Sequence, residues 1–151
     1  MQVSEVMQTA VRSCAPDTTV AEAGVVMFRA DCGALPVTDD TKKLLGMVTD
    51  RDITVALCTR GKRADELTVQ EITSNGPVTC RVEDDLRTAL RKMADSQIRR
   101  IPVVSSGGRI EGLLSINDII LHAKARGNGL SYADVMETLK AICTHRELVT
   151  A

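Results

Sequence analysis

Two short stretches of this chain, GMVTDRDI at residues 46 to 53 and GLLSINDI at residues 112 to 119, hold a glycine, a hydroxyl, an aspartate and an isoleucine at one spacing. Thr49 and Ser115 each stand three residues before a carboxylate, Asp52 or Asp118. At the junction of a strand end and a helix start, such a hydroxyl can accept from a backbone N–H. An aspartate in the first turn also suits the helix dipole. The same atoms can grip a nucleotide. A helix start offers free N–H groups to an anion, the hydroxyl adds a bond to a phosphate oxygen, and the carboxylate is an acceptor for ribose hydroxyls. Gly46 and Gly112, without side chains, are then expected to let backbone approach a ligand closely. Helix cap and nucleotide grip both stand as readings of the pattern.

No competing chemistry stands out. The chain has no G-x-S-x-G, no P-loop and no H-E-x-x-H, so no catalytic residues are expected. Its five cysteines, Cys14, Cys32, Cys58, Cys80 and Cys143, form no C-x-x-C pair and suit reduced thiols. Beside them stand only His122 and His145, too few for an expected metal site. Cys14 and Cys80 fall at matching positions, where lining a core or pocket is the expected role and redox chemistry the alternative.

Composition narrows the partners. Of 151 residues, 44% are apolar and 26% charged, with a formal net charge of -1. A core can be buried, and no overall field draws in nucleic acid or an anionic membrane. One Tyr, one Phe and no Trp leave little surface on which bases could stack. No apolar run is long enough to span a bilayer, and the first residues lack the features of a secretion signal. A cytoplasmic protein without membrane or nucleic-acid partners is expected.

The elements that must position the two motifs follow from a duplication. Shifting the chain by 66 residues aligns 3–53 with 69–119 without a gap, matching Cys14 with Cys80, Met27 with Met93, Pro36 with Pro102 and Gly46 with Gly112. Two copies exclude a solenoid and suggest two halves packed face to face. In each copy an opening segment (3–7; 69–72) precedes a brief strand, VRSC or PVTC. A helix follows, started by a Thr19–Glu22 capping box in the first copy and by Asp84 or Asp85 in the second. Strands ALPV and RIPV come next, with proline at an end or edge, then turns and the strands LLGMVT and IEGLLS. Helices over 50–61 and 117–126 close the copies. The fold class is α+β, two β-α-β-β-α repeats at 1–62 and 63–126 with a C-terminal extension at 127–151. There Ser131 and Asp134 start a helix. Its apolar stripe (Tyr132, Val135, Met136, Leu139, Ile142, Cys143) is expected on its own domain, with a subunit contact as the alternative.

With the duplicated h-P-V strand and G-h-h-[T/S]-x-x-D in place, residues 1 to about 125 resemble a tandem pair of CBS domains, the family named after cystathionine β-synthase. The resemblance implies halves packed about a pseudo-twofold axis and clefts that bind adenosine nucleotides (AMP, ADP, ATP) or another adenosyl ligand as regulator. It implies ribose held by Asp52 and Asp118, phosphate near Thr49 and Ser115, and adenine around Val11, Ser13, Leu35 and Pro36 or Val78, Cys80, Ile101 and Pro102. It also implies a homodimer that signals to a regulated protein partner.

The copies differ just before the h-P-V strand. The first reads CGALPV and the second IRRIPV, so Arg99 and Arg100 occur in one half only. Guanidinium groups favour phosphate, and the resemblance implies that basic residues at this place reach across to the site whose Asp comes from the other half, so the Asp52 cleft, completed by Arg99 or Arg100, is expected to be the tighter. The plainer reading is a solvated pair shielding a strand edge. Arg51 has the same two readings, ligand contact or surface charge.

Overall fold

The shift that aligns the sequence also aligns the computed structural model, which describes residues 1–124 and 130–144. The first copy contains α1 (Val20–Arg29), β1 (Ala34–Thr38), β2 (Leu44–Thr49) and α2 (Asp50–Arg60). The second contains α3 (Val69–Ile72), β3 (Ser74–Asn75), α4 (Leu86–Ser96), β4 (Arg100–Val104), β5 (Ile110–Ser115) and α5 (Ile116–His122), and α6 (Tyr132–Cys143) follows. β1 pairs with β2 and β4 with β5, both antiparallel, and Val37 faces Gly46 as Val103 faces Gly112.

The helix starts follow from local chemistry. Thr19 and Glu22 form the expected capping box on α1, and of the two acidic candidates for α4 it is Asp85 that accepts, from the Arg87 amide. α2 ends on Gly61, whose φ of 62° lies in the left-handed region that glycine reaches without strain.

Three expectations change. VRSC and PVTC each contribute a single parallel bridge, Cys14 with Val37 and Cys80 with Val103. Pairing stops there because the next residues turn, Thr18 N–H donating to Ala15 O and Asp84 N–H to Arg81 O. The prolines therefore do not sit on a bare edge. The Pro36 and Pro102 carbonyls accept from the Cys14 and Cys80 amides, a ladder position where no N–H is required of proline. α5 stops at His122 rather than running on, because Lys124 N–H donates to Leu130 O and turns the chain towards α6; Arg126, the expected end, lies outside the described residues.

The opening segments cross over. Val3 and Val6 pack in the second copy's core with Leu86, Met93, Ile101 and Ile119, whereas Val69 packs in the first copy's core with Leu35, Val37 and Val48. Gln8 exchanges two backbone hydrogen bonds of 2.9 Å with Leu113 of β5. In the matching place β3 pairs with β2. One further pair of bridges maps onto itself under the same shift: Gln2 with Asp85 becomes Thr68 with Thr19. The Lys43–Arg109 bridge is its own image, since 43 plus 66 is 109, so the pseudo-twofold axis passes between the two hairpin turns.

α6 carries its own capping box from Ser131 and Asp134. Val135 is buried, and Leu139 and Ile142 lie against the second core. Gln97 Nε2 donates to the carbonyls of Ala141 and Thr144. The helix thus packs on its own chain, with Tyr132, Met136 and Cys143 left exposed from the expected stripe. Among the described residues no helix is long and apolar enough to cross a membrane.

Candidate functional site

Both hydroxyl–aspartate pairs are helix caps. Thr49 Oγ1 accepts from the Asp52 amide at 3.1 Å, while Asp52 Oδ2 accepts from the Thr49 amide (2.9 Å) and hydroxyl (2.7 Å). Ser115 and Asp118 repeat the box on α5, with Asp118 Oδ2 accepting from the Ser115 amide and hydroxyl. A cap uses one carboxylate oxygen and leaves the other. At Asp118 the other is taken: Gln8 Nε2 donates to Oδ1 at 3.1 Å. No hydrogen bond to Asp52 Oδ1 is found among the described residues, so capping and an open acceptor coexist there.

Gly46 and Gly112 admit protein, contrary to the expectation of a ligand. A Cβ on Gly46 would lie 2.2 Å from Thr73 Cγ2 and 3.0 Å from Ser74 O, and one on Gly112 2.6 Å from Met7 Sδ and 2.9 Å from Gln8 O. These are the crossing opening segments. The glycine in each motif is where the exchanged strand lies flat on the hairpin.

The exchange also builds the walls. A cavity of about 210 Å³ is lined by Gln8, Val11, Arg12, Cys32 and Ala34 of the first copy and by Leu113 of the second. Gln8 joins this cavity to Asp118. Under the 66-residue shift the matching wall of the Asp52 cleft is Ser74, Pro77, Val78, Ile98, Arg100 and Met47. Arg100 replaces Ala34 there, and its Nη2 lies 3.5 Å from the point where a Cβ on Gly33 would sit, with Asp50 Oδ2 2.7 Å from the same point. The guanidinium therefore lies beside Gly33, with the Asp50 carboxylate at the start of α2 facing the same point.

Arg99 is exposed and contributes its carbonyl to the Ile116 amide. Arg51 is exposed, and its amide rather than its guanidinium meets Asp50. Of the adenine-contact expectations, Val11 lines the cavity and Ser13 is exposed. Leu35, Pro36, Ile101, Pro102 and Cys80 are buried in the cores, and Val78 packs against the second. β1 is buried at every position and β4 at all but its first, and Leu35 and Ile101 are wholly buried. Burial pushes the Cys14 thiol up to about 11 and also raises Cys80, so both stay protonated near neutrality. Gln8, Arg12, Cys32 and Ala34 had no motif to mark them; only the crossing of chains brings them together. Among the described residues no group of three His, Cys, Asp or Glu could hold a metal, and His145 lies outside them.

Comparison with known proteins fits this geometry. The CBS domain family matches residues 3–58 and 69–124. The CBS domain-containing protein YhcV of Bacillus subtilis is 32% identical over 120 residues, 80% of this chain and 84% of that protein. Hypoxic response protein 1 of Mycobacterium tuberculosis is 27% identical over 146 residues, 97% of this chain and 96% of that protein. A crystal structure of hypoxic response protein I, with two coordinated zinc ions, matches with TM-score 0.74 and 29% identity over 81% of this chain and 98% of that one. The CBS domain pair of protein MJ0100, solved with 5′-methylthioadenosine and S-adenosyl-L-methionine, matches with TM-score 0.74 and 24% identity over 81% and 94%. A longer uncharacterized relative from Methanopyrus kandleri is spanned over 61% of its length. With two matched repeats, exchanged opening segments and a twofold axis between the hairpins, the chain belongs to the CBS domain family as a tandem pair.

Proposed function

We propose that this pair is a cytoplasmic regulatory module without catalytic activity that binds an adenosyl ligand in its two clefts and passes a change of shape to a partner protein. One observation carries the reading: the crossing strands leave a cavity with an apolar wall from one repeat, beside a capped aspartate of the other. Apolar lining with a few placed polar groups is what a small-molecule site requires. The adenosyl ligands of the MJ0100 pair, a protein of the same fold, agree in chemical class. In this reading Asp52 with Thr49 and Arg100 takes the ligand bearing phosphate, and Asp118 with Ser115 and Arg12 forms the second cleft. Assembly as a homodimer belongs to the same reading, supported by Phe28 on α1 and Leu121 on α5 at 87% and 82% exposure. Sedimentation as a monomer at micromolar concentration would remove that part.

A thermal-shift panel of AMP, ADP, ATP, 5′-methylthioadenosine and S-adenosylmethionine tests the ligand class. A ligand at one hundred times its Kd stabilises the folded chain by about 2.7 kcal/mol. No shift with any of the five would leave an interaction module with closed clefts as the better account.

A further inference from the structure

We infer that Gln8 is a built-in occupant of the Asp118 cleft, its carboxamide holding the carboxylate oxygen that a ribose hydroxyl would use, so that a ligand enters by displacing it. The inference rests on the ligand reading above and concerns how the second cleft is regulated. Both oxygens of Asp118 are committed, Oδ2 to the cap and Oδ1 to Gln8 Nε2. The same glutamine lines the cavity. Its backbone is pinned to Leu113 by two hydrogen bonds, so the side chain must turn away while the strand stays in place. In the matching position of the other repeat stands Ser74, too short to imitate this contact, and Asp52 Oδ1 is correspondingly open. The two clefts therefore differ in what guards the acceptor as well as in cations.

The Gln8–Asp118 bond is exposed. A hydrogen bond of this kind shifts an equilibrium by about threefold to tenfold. A ligand that binds only with Gln8 turned out loses affinity by the fraction of chains in that state.

The test is calorimetry of AMP with the full chain in a D52N background, which weakens the first cleft, with and without Q8S, which copies Ser74. Q8S is expected to tighten AMP binding about fivefold in D52N, and to leave it unchanged in D118N. The side-chain amide NMR signals of Gln8 are expected to shift on D118N substitution alone, and on AMP addition to D52N. Binding that appears in D52N only after Q8S supports the same conclusion. Equal or weaker AMP binding by D52N/Q8S, with D52N itself binding, overturns the role of Gln8 and leaves the adenosyl reading standing. If wild type, D52N and D52N/Q8S all fail to bind AMP, both fall.

Discussion

The two clefts are built from one repeated plan and differ in the side chains that line it. Around Asp118 the wall carries Gln8, Arg12 and Ala34; around Asp52 the matching places hold Ser74, Val78 and Arg100. The first has a formed cavity, a cation on its lip and an aspartate already bonded by its neighbour. The second has an open acceptor and a guanidinium beside Gly33, near the start of α2. Backbone alone would have made the sites twins. The lesson is that the exchange of opening segments sets the frame, and side chains from the other repeat set the chemistry within it.

The most severe way to break the comparison is to block the exchange itself. Gly46→Ala and Gly112→Ala each force a methyl against a crossing strand, and overpacking of this kind costs about 1–3 kcal/mol or more. Gly46→Ala should be the worse, because the Thr73 side chain it meets is held by a hydroxyl bond to Val69 O of 2.7 Å. Met7 at Gly112 is a flexible thioether that can partly give way. Urea denaturation of both variants measures this, and a milder loss for Gly46→Ala would contradict the reading of Thr73 as immovable.

The charge difference comes next. Arg100→Ala should weaken AMP at the Asp52 cleft about tenfold at low salt, the size expected for one charge-assisted bond in a partly exposed place. Arg99→Ala, with its side chain in solvent, should change little. Calorimetry showing the reverse order would move the phosphate contact to Arg99.

The smallest effect concerns the hinge of the second opening segment. The Thr68 amide, with the Lys62 ammonium and the Thr68 hydroxyl, holds the Glu71 carboxyl down from 4.5 to about 2. A carboxyl lowered in the folded state stabilises the fold above its unfolded value, and that contribution fades as pH falls from about 4.5 through about 2. Glu71→Gln should therefore lose a little stability at pH 7 and show a flatter acid limb than wild type by thermal melts between pH 2 and 5. Because the group is in contact with solvent, water screens the effect and only a slight difference between the curves is expected.

Much of this was legible from residue order. The duplication is read by shifting the chain by 66 residues on itself, and the Thr19–Glu22 and Ser131–Asp134 boxes and the paired h-P-V strands depend on residues within a turn or a hairpin of one another, where spacing fixes geometry. The Asp52 and Asp118 motifs were legible as caps for the same reason. The resemblance puts Leu35 and Ile101 near adenine, whereas their complete burial depends on how both faces of their strands are covered, which residue order does not show. Nothing in the local sequence of Gln8 ties it to Asp118, 110 positions away.

Two repeats, their helix starts and the pairing of their hairpins follow from residue order, since local hydrogen bonding and apolar period are properties of neighbouring residues. The trading of places by the opening segments, their admission by the motif glycines and the reach of Gln8 and Arg100 to opposite clefts arise in the packed fold. These are contacts between distant parts of the chain, selected by burying Val3 and Val69 in each other's repeats, and no short-range pattern encodes them.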